Sequence, residues 1–153
     1  MATDLDKIDE EVLPRARKSV SLAAFAATNL LTTFQQIGPT DKDLNVGNHP
    51  SISALLKWTY AAGTTLTLRV KVSHDALTWQ WAPSFGSPAA GVSAADILEV
   101  TFASATWDID GVYALLPVEV HLEGWRNAQL FVKSNNASGS VGTASTVGVG
   151  TGE

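Results

Sequence analysis

Three histidines, His49, His74 and His121, are the residues with which a search for chemistry has to start. Zinc coordination calls for ligands a few residues apart, and none of the three stands three to five residues from another His or acid in such an arrangement. His74 and Asp75 are adjacent, a pair that could relay a proton. They fall where a hairpin should reverse, and turn geometry alone accounts for Asp75. Asp41, Asp43 and Asn45 alternate as calcium-loop ligands do, yet Gly47 falls one place late and no Glu occupies the twelfth position, so a plain Asx-rich turn is the better reading. The serines include no G-x-S-x-G elbow, and no glycine-rich phosphate loop follows a strand. Asn136-Ala137-Ser138 has the form of a glycosylation sequon but reads more simply as an irregular loop. No catalytic residue, metal ligand or cofactor is expected from this inventory, and enzyme chemistry has no positive support. The five tryptophans remain. Trp58, Trp79 and Trp81 fall at strand period on faces that read as inward, which makes them core residues, whereas Trp107 and Trp125 lie near turns and are freer to serve as a sugar platform.

The elements that would position these residues are strands. Leu66, Leu68, Val70 and Val72 alternate with Thr67, Arg69, Lys71 and Ser73, and a slip of one residue would bury Arg69 and Lys71, so the register of this strand is strongly specified. Ser73, His74 and Asp75 turn it, and the alternation resumes with Leu77, Trp79 and Trp81 inward against Thr78 and Gln80. Ile52, Ala54, Leu56, Trp58 and Tyr60 form one face of a preceding strand. Leu98, Val100 and Phe102 form one face of a later strand, opposite Glu99 and Thr101. Asp110-Gly111 is a hairpin dipeptide that supplies positive φ, which predicts a tight reversal between Trp107 and Tyr113. The longest alternation follows, with Val112, Ala114, Leu116, Val118, Val120 and Leu122 on one side. Pro117 on its other side cannot donate to a ladder and belongs at an edge or a bulge. Ala128 to Lys133 is a further strand, 135–142 a loop, and 143–150 a Gly-rich last strand anchored by Val147 and Val149. Leu30 to Ile37 reads as a strand ended by Gly38-Pro39, with an Ala-rich helical turn at 22–27 as an alternative for the residues before it. The stretch 82–95 is a surface loop.

Composition bounds the functional classes. A chain of 153 residues, 45% hydrophobic and 16% charged, is one domain with a single sizeable core. A net charge of -5 with ten basic residues scattered along the strands argues against nucleic acid, whose binding comes from clustered Lys and Arg. With no cysteine, neither disulfides nor thiolate metal sites hold the fold. The N-terminus has neither the basic start nor the apolar run of a Sec-type signal, and no run reaches membrane-spanning length, so a soluble protein without membrane association is expected. Residues 1–13 carry five acids and one Lys, with Leu5, Ile8, Val12 and Leu13 at helical spacing, and Arg15, Arg17 and Lys18 follow Pro14. Residues 1–18 are therefore an N-terminal arm or short helix, and 19–153 a single β-sandwich domain. The fold class is all-β, an antiparallel and jelly-roll-like sandwich.

Two segments carry a family resemblance. LTLRVKVSHDALTWQW (66–81) resembles a hairpin common in bacteriophage virion proteins, in which an alternating strand runs into a Ser-x-Asp-Gly-x-x-Trp turn; Ala76 stands where that pattern usually has Gly. GWRNAQLFVKSNNASGSVGTASTVGVG (124–150) looks like the closing strands of such sandwiches, an Arg-bearing turn before a penultimate strand and a small-residue last strand. Discoidin-like and carbohydrate-binding sandwiches use a similar hairpin. The phage resemblance implies a non-enzymatic virion component assembled in the host cytoplasm, as a capsid decoration protein or a tail or baseplate part, with a major capsid or other virion protein as partner. The alternative is a carbohydrate-binding module. Decoration proteins often sit on three-fold axes, so the resemblance further implies a homotrimer.

Surplus apolar side chains also point to association. Leu55, Tyr113, Leu115 and Phe131 lie on faces opposite the predicted core. With Leu5, Ile8, Val12, Leu13, Arg15 and Arg17 of the arm, they make up the expected subunit interface.

Overall fold

The computed structural model describes residues 19–22, 26–38, 44–45, 51–84, 97–121, 124–144 and 147–150. Twelve strands are present among them: β1 (Ser19–Leu22), β2 (Thr28–Asn29), β3 (Gln35–Ile37), β4 (Leu44–Asn45), β5 (Ser51–Thr59), β6 (Thr65–Ser73), β7 (Gln80–Trp81), β8 (Glu99–Ala103), β9 (Tyr113–His121), β10 (Asn127–Ser134), β11 (Ser140–Thr143) and β12 (Val147–Gly150). A single helical turn, α1 (Ser104–Trp107), joins β8 to β9.

The long alternating runs become the long strands because each offers one wholly apolar face to bury. In β5, Ile52, Ala54, Leu56 and Trp58 are buried, and Tyr60 continues the row just past the strand. In β6 the buried row is Leu66, Leu68, Val70 and Val72; in β9 it is Ala114, Leu116, Val118 and Val120; in β10 it is Ala128, Leu130 and Val132. These rows meet in one core. Leu30, Ile37, Ala82, Phe102 and Val141 join it, and Leu98, Val100 and Trp125 pack on its margin.

All pairing is antiparallel and forms two sheets. In sheet I, β5 pairs with β9 along its whole length, Ser51 opposite His121 through Thr59 opposite Tyr113. On its other side β11 and β12 follow one another, with β2 and β1 outside them. In sheet II, β10 and β6 are the central pair, with Phe131 opposite Arg69; β3 and β4 flank β10, while β7 and β8 flank β6. The strand order is thus β9, β5, β11/β12, β1/β2 in one sheet and β3/β4, β10, β6, β7/β8 in the other. In chain order the sheet changes from β2 to β3, from β4 to β5, from β5 to β6, from β8 to β9, from β9 to β10 and from β10 to β11.

Several local expectations are met. Asp110 and Gly111 have φ of 59° and 71°, and the Val112 N–H donates to the Ile109 carbonyl at 3.3 Å, which closes the tight reversal. Pro117 lies on β9, an edge strand among the described strands, whose single neighbour is β5.

Other expectations are corrected. Val141 is fully buried in β11, so 140–143 is a strand and not part of a loop; the adjoining glycines had hidden it. Leu30 to Ile37 is not one strand: β3 begins at Gln35, and Leu30 is buried ahead of it. Val112 keeps its parity but sits in the 109–112 turn, past the end of the sandwich, and is 54% exposed. The proposed helical turn at 22–27 is not formed at Leu22, which belongs to β1. The arm, residues 1–18, and the side chains of Val147 and Val149 lie outside the described residues.

Candidate interaction surfaces

The reversal after β6 is built by two side chains. The Ser73 hydroxyl accepts from the backbone N–H of Asp75 at 3.3 Å and of Ala76 at 3.0 Å, and it donates to Asp75 Oδ1 at 2.9 Å. That same Oδ1 accepts from the N–H groups of Leu77 and Thr78, both at 2.8 Å. These backbone donors, Thr78 first and then Leu77, followed by the Ser73 hydroxyl, hold the Asp75 carboxyl down at about 2. Ala76 sits between them at φ 59°, in the left-handed region. The Trp79 indole N–H closes the loop by donating to the Ala76 carbonyl at 3.2 Å. His74 stacks on Trp125 with ring centroids 4.4 Å apart. The Ser73 hydroxyl and the Asp75 carboxylate are thus both engaged in holding the turn.

This turn is longer than its composition suggested, with a consequence for Leu77, Trp79 and Trp81. Because Asp75 captures the Leu77 and Thr78 N–H groups, pairing does not resume until Gln80, which faces Val72, while Trp81 faces Lys71. Leu77 is 84% exposed. Trp79 is half-buried in the turn, and Trp81 emerges on the outer face of sheet II. Of the three tryptophans expected in the core, Trp58 alone is there. Residues facing each other across a ladder share one side of the sheet, so the Lys71–Trp81 pairing is what decides the matter.

On that outer face Trp81 meets Phe34 and Phe131, with centroids 5.7 and 5.2 Å away. Three cations thread between the rings. The Arg69 guanidinium lies 4.6 Å from the centroid of Phe34 and 5.5 Å from that of Trp81. Lys71 Nζ is 5.0 Å from Trp81 and 5.1 Å from Phe131, and Lys133 Nζ is 4.9 Å from Phe34. Each contact of this kind contributes about 0.5–1 kcal/mol at a partly exposed site. Glu99 balances one of the charges, receiving a 2.7 Å hydrogen bond from Arg69 Nε. Among the described residues, no carboxylate lies within ion-pair distance of Lys71 or Lys133. The local sequence signal was present in the cations at 69 and 71 and the aromatic at 131; the missing information was the phase of Trp81 and the approach of Phe34 from ahead of β3.

Sheet I has a different outer face. Leu55 stands opposite Pro117, Lys57 opposite Leu115 and Thr59 opposite Tyr113. Lys57 Nζ lies 4.7 Å over the Tyr113 ring. Leu55, Tyr113 and Leu115 are half-buried, and Pro117 is exposed. The structure therefore gathers Leu55, Tyr113 and Leu115 into one patch and places Phe131 on the opposite outer face, so they do not form a single surface. Leu5, Ile8, Val12, Leu13, Arg15 and Arg17 lie outside the described residues.

At the end of the sandwich beyond β5, Tyr60 donates from its phenol to Asp108. Burial first, and then the Asp108 hydrogen bond and charge, push the Tyr60 phenol up to about 12. Trp107 packs edge-on against Phe102, with centroids 5.8 Å apart, and is 37% exposed. Among the described residues no three His, Cys, Asp or Glu side chains converge on a common point, and no helix is long and apolar enough to cross a membrane.

No family model, curated protein or solved structure matches the chain.

Proposed function

We propose that this protein is a non-enzymatic structural component of a bacteriophage particle, a capsid decoration protein that covers or stabilises the shell as a homo-oligomer, with three copies as the favoured number. The observation that carries this reading is that both outer sheet faces hold half-buried apolar side chains that the core does not use. Leu55 and Leu115 with Tyr113 occupy one face; Phe34, Trp81 and Phe131 occupy the other. A sandwich that meets neighbours on its flanks needs such faces. The strand order supports the further reading of a jelly roll, an architecture used by viral capsid and lectin domains alike, which is why the faces and not the fold carry the argument. The number three and the phage setting rest on the resemblance of the 66–81 hairpin and the 124–150 segment. A tail or baseplate position would use the same surfaces.

A second reading, a carbohydrate-binding module, draws on the outward placement of Trp81. Against it, Arg69 and Lys71 lie over that ring, so a sugar would have to displace them to stack. One set of measurements separates the two readings. Light scattering should give a homo-oligomer, Leu115→Glu should weaken it with an unchanged circular dichroism spectrum, and the protein should co-purify with assembled particles. A monodisperse monomer that ignores particles and whose tryptophan fluorescence is quenched by glycans would replace the first reading with the second.

A further inference from the structure

The outer face of sheet II holds three cations, Arg69, Lys71 and Lys133, fixed against the rings of Phe34, Trp81 and Phe131, and Glu99 is the one carboxylate paired with them among the described residues. The whole chain, by contrast, has a net charge of -5. A concentrated positive field on an acidic protein calls for an anionic occupant. Because the cations already cover the aromatic faces, what the site presents outward is ammonium and guanidinium groups framed by ring edges. That suits carboxylates carried on an apolar backbone better than a flat ring seeking a stacking surface.

The sequence contains such a segment. Asp4, Asp6, Asp9, Glu10 and Glu11 stand in the arm among Leu5, Ile8, Val12 and Leu13, with Lys7 as the one interspersed cation. We infer that residues 4–13 of the arm dock on the outer face of sheet II, their carboxylates on Arg69, Lys71 and Lys133 and their aliphatic side chains against Trp81 and Phe131. This deepens the association reading above by giving the arm a defined receptor surface. Chain length permits it. An extended chain covers about 3.3–3.6 Å per residue, so the stretch from Ser19 back to Glu11 can span roughly 26–29 Å. Packed sheets lie about 10 Å apart. The arm can therefore round the edge of its own sandwich or cross to a neighbour.

Carbodiimide cross-linking of the full-length protein, which joins a carboxylate and an amine in direct contact, tests the placement. Peptide mass spectrometry should find Lys71 and Lys133 joined to the acids at 4–11. A 1:1 mixture of light and nitrogen-15-labelled protein shows whether the arm comes from the same copy or another. The links should fall about tenfold near 1 M salt, where the Debye length is about 3 Å. They should also fall in a full-length Asp9→Ala, Glu10→Ala, Glu11→Ala variant, which leaves the sandwich untouched. Trp81 emission should shift in that variant, because the arm shields one side of the ring. Acids that cross-link to Lys18 or Lys57 but never to Lys71 or Lys133 would overturn the inference. So would retention on immobilised polygalacturonate with the arm links unchanged by the competing polymer, since the face would then belong to a glycan. Co-purification with particles in the absence of these links would sink the docking site and leave the structural role standing.

Discussion

Replacing Ala76 with Gly should make the protein more stable, although it removes a side-chain carbon and adds no contact. Ala76 is exposed and held at φ 59° by hydrogen bonds to the residues around it: Ser73 Oγ accepts from its N–H at 3.0 Å, and Trp79 Nε1 donates to its carbonyl at 3.2 Å. An L-residue in the left-handed region carries a cost of about 1–2 kcal/mol that glycine escapes. Against this, glycine gives the unfolded chain more freedom, which offsets about 0.4–1 kcal/mol. The balance is a gain of about 0.5–1 kcal/mol. For a chain of this size each kcal/mol moves the melting point by about 2–4 °C, so Tm should rise by about 1–4 °C. Urea unfolding followed by tryptophan fluorescence should show a higher midpoint at an unchanged slope, the mark of a change in native stability. Ala76→Val, with a branched side chain in the same backbone state, should shift the midpoint the other way. The two effects on Ala76→Gly oppose each other, so the sign is informative. A lower midpoint would mean that the turn relaxes in solution and that residue 76 does not carry the strain.

Gly139 and Gly63 separate two kinds of glycine requirement. At Gly139, φ is 92° and a Cβ would lie 2.3 Å from the Thr59 carbonyl oxygen, so Gly139→Ala should lose about 3 kcal/mol or more and lower the yield of folded protein. Gly63, at φ 77° with open space around it, should lose about 1 kcal/mol on the same change, read by the same urea titration. Titration of stability against pH should bracket the two shifted groups. Asp75, lowered to about 2 in the folded protein, contributes stability that is present above about pH 4 and lost as pH falls towards 2, and Asp75→Ala should flatten the profile there. Tyr60, raised to about 12, favours the folded state while neutral, so stability should fall as pH rises from about 10 to 12, and Tyr60→Phe should remove that limb.

The fold was legible where burial imposes a period of two. The inward rows of β5, β6 and β9 and the reversal at Asp110-Gly111 followed from side-chain alternation and backbone chemistry, both local properties of the chain. The parts not read correctly depend on groups distant in sequence or on the length of a turn. SVGT at 140–143 has one large apolar residue, and it is a strand because β5 and β2 lie on either side to take its hydrogen bonds. Counting forward from Leu77 puts Trp81 in the core. The carboxylate of Asp75 lengthens the turn and puts Trp81 across from Lys71 instead. The aromatic–cation cluster was invisible for the same reason, since it needs that phase together with Phe34, nearly fifty residues upstream of Trp81. Leu55, Tyr113 and Leu115 were recognisable as lying off the core because they occupy the second face of strands whose first face was unmistakable.

The edge of sheet I at β9 limits the backbone donors that an added strand could use there. Tyr60 N–H bonds to the Val112 carbonyl, so by alternation the N–H groups of residues 113, 115, 117 and 119 point away from β5, on the side where no described strand pairs with β9. The first of these is already taken, because Tyr113 and Ile109 exchange N–H and carbonyl bonds across the 109–113 bridge. The third is Pro117, which has no N–H to offer. A strand approaching this edge would find its donors interrupted at alternate places, with the proline ring standing in the gap between Leu115 and Glu119. Among the described residues, then, the covalent structure of one residue and the fold of its neighbouring turn remove two donors that β-augmentation along β9, the step by which sandwiches with open edges run together into fibres, would use.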